Sequence, residues 1–157
     1  DPTHIARPLT GDDPAGIFEA VADYLLGKGW TVERESIPGG AHGYTDPEGR
    51  RVVLDSDLSP AQAAKTGLHE AAHVILHADE DHAEYVEHRG TKETEAESVA
   101  YVVAGILGLD TSAYSVGYVA GWSNCDAETI KATAANVLRA AHALADALTE
   151  QPEAVAA

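Results

Sequence analysis

Residues 67–79 read GLHEAAHVILHAD, and positions 69–73 carry the pattern His-Glu-x-x-His. On an α-helix, residues four apart lie only about 40° round and one turn along, so His69 and His73 present both imidazoles to one side. Glu70 falls about 100° from His69, beside an ion that the two histidines could share. This pattern is typical of two metal ligands and a general base that takes a proton from water.

The residues before the motif predict a helix independently. Ser59-Pro60-Ala61-Gln62 combines a capping box with a proline at the first helical position. We expect the helix to run to about Ala78. The alternative to a metal site is a helix whose two histidines are ordinary polar positions and whose buried side is apolar, formed by Leu68, Ala72, Ile75 and Leu76.

A second helix is predicted within residues 92–109, KETEAESVAYVVAGILGL. Thr91 is its expected cap and Gly108 its expected stop. Its predicted buried stripe consists of Ala96, Val99, Ala100, Val103, Ile106 and Leu107. A catalytic zinc site has three protein ligands and one open position, so a third ligand should come from an element such as this one.

Two glutamates extend that stripe toward the start of the helix. Glu93 and Glu97 lie one turn apart on the inward side, whereas Glu95 falls about 160–200° away and should face solvent. A carboxylate on an inward face is costly unless it is paired or ligated. The competing explanation is a solvated first turn, where acidic residues favour the helix dipole.

The remaining pattern predicts an α+β fold in one domain over residues 1–157, with an ordered core at about 13–148. An acidic cap and Pro14 begin a first helix, which residues 27–29 end. Residues 30–36 alternate as a strand, and residues 42–55 predict a hairpin around a turn at 46–49. A short helix is expected within 112–122. A last helix is expected over 127–148, with an apolar stripe of Ile130, Ala134, Val137, Ala141, Leu144 and Leu148.

Composition limits the partners and the setting. The formal net charge of −16 opposes binding to a phosphate backbone, so we expect no direct nucleic-acid binding. No apolar run is long enough to cross a bilayer. Cys125 is the only cysteine, which favours a reducing, cytoplasmic setting. The chain begins at Asp1 and contains no methionine, so we expect it to be a piece of a longer protein.

Three segments together resemble a known group of enzymes: HEAAHVILH, then ETEAESVAYVVAGILGL, then SAYSVGYVAGW. They resemble the metallopeptidase domain of ArdC-type antirestriction proteins and the related ImmA/IrrE metallopeptidases. The likeness is strongest over residues 59–122 and looser over 14–148. The resemblance implies a zincin-like fold, in which a small sheet packs against the active-site helix and a glutamate helix.

The resemblance also implies a ligand set. His69, His73 and Glu93 would bind one zinc ion per chain, with Glu70 as the base. Glu97 matches the acidic position that orients a ligand histidine. ArdC-type proteins carry an N-terminal region that binds single-stranded DNA. The segment before residue 59 is too short and too acidic to match it, so DNA contact is expected only through a missing segment.

The predicted function is zinc-dependent hydrolysis of peptide bonds in a protein or peptide partner. One alternative is a zinc-containing antirestriction or sensor domain that cleaves nothing. Another is a structural domain without metal, although that leaves the two inward carboxylates opposite the histidine motif unexplained. The sequence favours the first interpretation because Glu70 is intact.

Five further residues or segments receive predictions. Tyr114 or Tyr118 could stabilise the oxyanion of the reaction, although each is more often a packing residue. His77 is interpreted as a helix-end histidine that interacts with the dipole, and less favourably as a ligand. Residues 51–54 are a candidate edge strand that could hold substrate by strand addition. Gly67 within the active helix suggests close packing there.

Overall fold

The computed structural model describes residues 9–13, 15–78, 89–108 and 126–149. The described elements, in chain order, are α1 (Ile17–Gly27), β1 (Thr31–Glu35), a 3₁₀ turn (Pro38–Gly40), β2 (Gly43–Asp46), β3 (Arg51–Asp55), α2 (Pro60–His77), α3 (Arg89–Leu107) and α4 (Ala127–Thr149). The predicted α+β class is confirmed, since the described chain forms a small mixed sheet and four α-helices.

The sheet has the strand order β1-β3-β2. The central strand β3 pairs in parallel with β1 and antiparallel with β2. Val52, Val53 and Leu54 in this strand are fully buried. The prediction that residues 51–54 form an edge strand was therefore wrong. The hydrophobic run Val-Val-Leu is typical of a strand covered on both faces, and both of its edges are already occupied.

The first helix begins later than the sequence indicated. The carboxylate of Asp13 accepts hydrogen bonds from the backbone N–H groups of Ile17, at 3.0 Å, and Phe18, at 2.8 Å. It therefore caps α1 as expected, but the first helical residue is Ile17 rather than Pro14. Ile17, Val21 and Leu25 are buried against the core, at the predicted helical spacing.

The cap of α2 is only half of a capping box. Ser59 Oγ accepts from the backbone N–H of Gln62 at 3.1 Å, as the sequence predicts. The Gln62 side chain points elsewhere, accepting from the Leu9 backbone N–H at 2.7 Å and donating to Thr66 Oγ1 at 2.9 Å. Ser59 Oγ also donates to the Leu9 carbonyl at 2.8 Å. The start of α2 is thus fastened to the segment that precedes α1.

Gly67 faces α1 in the middle of α2, but the packing there leaves room for a methyl group. A Cβ at Gly67 would lie 3.6 Å from Val21 Cγ1 and 3.7 Å from Phe18 Cδ1, which is ordinary van der Waals contact. We expect Gly67→Ala to stabilise the fold by about 1 kcal/mol through helix propensity. Its thermal midpoint should rise by ~2–4 °C, measured by circular dichroism. A lower midpoint would show that this contact is tighter than it looks.

The helix α3 is buried on most of its circumference because it packs between α2 and α4. It begins at Arg89, so the predicted cap Thr91 lies inside the helix. Its buried residues are Thr94, Glu95, Ala96, Ser98, Val99, Ala100, Val103 and Ala104. The last turn differs from the predicted stripe, since Ile106 is 55% exposed. Gly108, with φ 81°, ends the helix as expected.

The helix α4 contributes one side to the same core. Its buried residues are Val137, Ala140, Ala141, Leu144 and Ala145. Ile130 and Ala134, which the sequence placed on this stripe, are exposed. Of the predicted stripe, Val137, Ala141 and Leu144 are therefore buried, and Leu148 is partly buried.

No helix within the described ranges is both long and apolar enough to cross a bilayer. The predictions for residues 112–122, including Tyr114 and Tyr118, fall outside the described residues. The same holds for Cys125 and the tail after residue 149.

Candidate metal centre

Two histidines of α2 and one glutamate of α3 meet at a single point. Glu93 Oε2 lies 2.7 Å from Nε2 of His73, and Glu93 Oε1 lies 3.3 Å from Nε2 of His69. One ligand atom from each of the three residues lies within 4.8 Å of the others. The two imidazole rings are edge-on to each other, with centroids 4.9 Å apart. This is the placement that the helical spacing of the sequence predicted.

The cluster combines a buried side and an open side. The side chain of His73 is 7% exposed and that of His69 is 19% exposed, whereas that of Glu93 is 47% exposed. Two imidazoles and one carboxylate are the donor set of a three-ligand catalytic zinc site, whose fourth position stays open to water or substrate. The residues present therefore fit a zinc ion.

Glu97 lies one turn beyond Glu93 and contacts the far nitrogen of His69. Its Oε1 is 2.9 Å from His69 Nδ1. The two ring nitrogens of His69 thus face two different carboxylates. The sequence predicted an orienting role for Glu97, and the observed contact is the one that such a role requires.

The carboxylate of Glu70 is held from the opposite side, by the sheet. Glu70 is 6% exposed, and the hydroxyl of Thr45 on β2 donates to its Oε1 at 2.7 Å. Sequence analysis did not single out Thr45. The hairpin pattern did place Thr45 in a predicted strand. No local pattern, however, indicates which residue of that strand contacts Glu70.

Close packing of β2 against α2 makes this contact possible. A Cβ at Gly43 would lie 2.9 Å from both Thr66 Cγ2 and the carbonyl oxygen of Val53, closer than real Cβ contacts. The absence of a side chain at Gly43 therefore lets the strand approach the helix. Thr45, two residues on, then reaches the Glu70 carboxylate on the same face of the strand.

The charges of this cluster are arranged around His69. Burial alone would lower its pKa, but the hydrogen bonds to Glu93 and Glu97 and the charge of Glu70 outweigh burial and raise the pKa of His69 to about 10. Burial raises the pKa of Glu93, yet hydrogen bonds from His69 and His73 hold that pKa well below its ordinary value. The carboxylates create a site that favours a cation, which is a proton when no metal is bound.

This raised pKa makes the stability of the metal-free protein depend on pH. The folded pKa of His69 lies above its ordinary value of 6.5, so its contribution is fully present below that pH and is lost as the pH rises toward about 10. We expect the thermal midpoint of chelator-treated protein to fall by ~4 °C over this interval, for a loss of order 1–2 kcal/mol. His69→Gln should show a shallower decline. Parallel curves for both proteins would contradict the assignment.

His77 and Glu95 make a contact that the sequence did not predict. His77 is the last residue of α2, as expected for a helix-end histidine, and its side chain is buried. Its Nδ1 lies 2.9 Å from Nδ1 of His73, and its Nε2 lies 3.0 Å from Glu95 Oε1. The prediction that Glu95 faces solvent was wrong, since it is 7% exposed. Its burial is tolerated because an imidazole faces the carboxylate.

A groove opens beside the cluster. It has a volume of about 1110 Å³ and is lined by β2, by Pro47 and Glu48 in the following turn, and by Glu70, His73 and Glu93. Within the described residues, β2 pairs only with β3, so its other edge faces away from the sheet. The edge strand beside the site is therefore β2, in place of the predicted residues 51–54.

The sequence matches the profile of the Peptidase_M78 family, the IrrE N-terminal-like domain, over residues 29–115. This match covers more than half of the chain. The chain belongs to the IrrE N-terminal-like peptidase family. The ImmA/IrrE part of the resemblance is thereby confirmed, whereas the narrower likeness to ArdC-type proteins stays a prediction.

The IrrE-like domain also has a relative in Bacillus anthracis, an uncharacterized protein designated pXO2-81. The two sequences are 31% identical over 99 residues, which are 62% of this chain and 16% of that protein. The chain thus spans a small part of the length of this relative. No solved structure matches the chain.

The matched range contains the whole cluster. Residues 29–115 include all three strands, α2 and α3, and hence His69, Glu70, His73, Glu93 and Glu97. The elements that position the site therefore lie within the part of the chain that matches the family. The helices α1 and α4 lie outside this range and complete the core around it.

Proposed function

We propose that this domain is a zinc-dependent peptide hydrolase that acts on a protein partner. The observation that carries the proposal is the meeting of His69, His73 and Glu93 beside Glu70 at the wall of an open groove. Membership of the IrrE N-terminal-like peptidase family supports the same class of reaction.

Each residue of the cluster has a proposed role. His69, His73 and Glu93 bind one zinc ion per chain, and Glu97 orients the ring of His69 through Nδ1. The negative potential that raises the pKa of His69 also favours a divalent cation, which would replace the proton on this imidazole. Binding of that cation requires the release of the proton from His69.

The chemistry of hydrolysis is divided between the ion and the side chains around it. When bound, zinc polarises the scissile carbonyl and lowers the pKa of the attacking water toward neutrality. Glu70 takes the proton of that water and passes it to the leaving amine nitrogen. The hydroxyl of Thr45 holds Oε1 of Glu70, and the other oxygen, Oε2, is proposed to take the proton. Tyr114 or Tyr118 is proposed as the hydrogen-bond donor to the oxyanion.

The substrate is proposed to bind as an extended strand along β2. The residues of this strand line the groove, and a peptide paired with its outer edge is proposed to pass the cluster. Tyr44, which is 39% exposed, lies in this strand and offers an apolar contact for a substrate side chain. Main-chain pairing positions the peptide without requiring a particular sequence.

The proposed setting is cytoplasmic, and the proposed partner is a protein or peptide rather than nucleic acid. The net charge of −16 supports the second point, because a domain with this charge repels a phosphate backbone. If the parent protein is of the ArdC type, its contact with DNA comes from another segment. The narrower proposal is therefore an ArdC-like antirestriction protein whose peptidase domain works on protein.

Elemental analysis and a cleavage screen test the proposal together. We expect about one zinc per chain, and cleavage of peptides in a proteome-derived mixture, detected by mass spectrometry. Cleavage should stop with a chelator and return with added zinc. Zinc without cleavage would favour the alternative of a non-cleaving antirestriction or sensor domain. No metal, even after zinc is added, would overturn both.

A further inference from the structure

The ring of His73 has a second buried partner on its own helix. Its Nδ1 faces Nδ1 of His77 at 2.9 Å, and the other nitrogen of His77 faces Glu95 of α3 at 3.0 Å. His77 is 5% exposed and Glu95 is 7% exposed. The proposed reaction uses neither residue, although a buried carboxylate is costly unless it is paired.

The hydrogen bonds from His73 through His77 to Glu95 fit one arrangement of hydrogens when His73 binds a metal through Nε2. The Nδ1 of His73 then carries the hydrogen and donates it to Nδ1 of His77. His77 accepts at Nδ1, so its own hydrogen sits on Nε2 and is donated to Glu95. A carboxylate without a proton only accepts, so all the hydrogen bonds in this row point from His73 toward Glu95, and the row ends on a negative charge.

Each ligand histidine is thereby connected through its Nδ1 to a carboxylate, one directly and the other through a second histidine. His69 donates from Nδ1 directly to Glu97, at 2.9 Å. His73 donates from Nδ1 to His77, which passes the polarisation to Glu95. A carboxylate behind a ligand imidazole fixes its tautomer and its ring orientation, and makes it a stronger donor to the metal.

The geometry points to His77 and Glu95 as a positioning relay that holds His73 in its metal-binding tautomer. This inference deepens the proposed function and rests on its metal site. Both are positioning residues: Glu95 acts through His77, and His77, which also lines the groove, acts through His73. The relay also accounts for the burial of Glu95, which the helix pattern placed in solvent, and of His77 opposite it.

Paired substitutions separate the relay from simple packing. His77→Leu removes the acceptor for His73, whereas His77→Gln retains a side-chain carbonyl that can accept. Glu95→Ala removes the carboxylate that accepts the hydrogen bond of His77, whereas Glu95→Gln retains an acceptor without the charge. Thr94→Val is the matched control, because Thr94 is buried beside Glu95 and its hydroxyl donates only to the Gly90 carbonyl of the same helix.

The first readout is zinc affinity, measured by competition with a chromophoric chelator. We expect His77→Leu and Glu95→Ala to weaken it by about 10–100-fold, the usual effect of losing a residue behind a ligand. The two glutamine variants should recover part of that loss, and Thr94→Val should bind as the wild type does. Circular dichroism of each metal-free variant checks that it is folded.

The second readout is the visible absorption spectrum of the protein loaded with Co²⁺. The ligand set should stay the same in every variant, so the band intensities should remain those of the wild type. Wild-type affinity in His77→Leu and Glu95→Ala would overturn the relay and leave the proposed function standing. A changed ligand set in His77→Leu, without recovery in His77→Gln, would overturn it in favour of His77 as a direct ligand. Absence of metal from the wild type would instead end the proposed function and the relay with it.

Discussion

Glu70→Gln is expected to abolish peptide hydrolysis while zinc stays bound. Glutamine has the shape of glutamate and can still accept the hydrogen bond that Thr45 donates to Oε1. Its amide nitrogen cannot take a proton from water, so the base is lost and the ligands are untouched. Turnover of a peptide from the cleavage screen should fall by about 10²–10⁴-fold, the usual contribution of general acid–base catalysis.

Glu48→Gln is the matched control for this variant. Glu48 is exposed in the turn after β2 and lines the same groove, so it carries the same change of charge at the substrate surface. Its turnover should stay near that of the wild type. Equal activity of Glu70→Gln and the wild type would mean that another group takes the proton.

Glu93→Ala is expected to lose zinc almost completely. Among the residues that the structure describes, Glu93 is the one whose carboxylate reaches Nε2 of both His69 and His73, so its removal opens the cluster on the side of α3. The loss of a direct ligand should exceed the 10–100-fold cost of losing a residue behind a ligand. We therefore expect zinc affinity to fall by more than ~100-fold, measured by chelator competition and elemental analysis.

Glu97→Ala gives the comparison within the same helix. Glu97 contacts Nδ1 of His69 and lies one turn from Glu93, so its removal should weaken zinc binding by about 10–100-fold and leave the ligand set intact. A larger loss of zinc affinity in Glu97→Ala than in Glu93→Ala would identify Glu97, one turn along α3, as the third ligand.

The sequence predicted the parts of the site that follow from local spacing. Residues four apart on one helix share a side, so the common direction of His69 and His73 needed only the prediction of a helix. The cap at Ser59 and the proline after it predicted that helix independently. The same argument placed Glu93 and Glu97 on one side of the next helix, and the structure brings both to His69.

The errors arose where a second element decides the environment. A helical wheel assumes one buried side, which put Glu95 in solvent. Because α3 packs between α2 and α4, it is buried on most of its circumference, and Glu95 faces His77 instead. His77 does lie in the last turn of α2, as predicted, but its contact with Glu95 could not be predicted, because Glu95 belongs to another helix.

The edge strand was likewise a matter of tertiary arrangement. The hairpin of residues 42–55 was predicted correctly, yet a hairpin alone does not indicate which of its strands takes a third partner. The parallel pairing of β1 made β3 the centre of the sheet and left β2 beside the groove. This strand order also places Thr45 of β2 within hydrogen-bond distance of Glu70.

By itself, the sequence determined the class of fold and the types and spacing of the residues that meet at the cluster. Helical periodicity and capping act over a few residues, so they can be read without knowing the rest of the chain. Only the tertiary structure decided what stands behind the cluster: Thr45 against Glu70, and His77 with Glu95 against His73. Hydrogen bonds between elements depend on how helices and strands pack, and no local pattern carries that information.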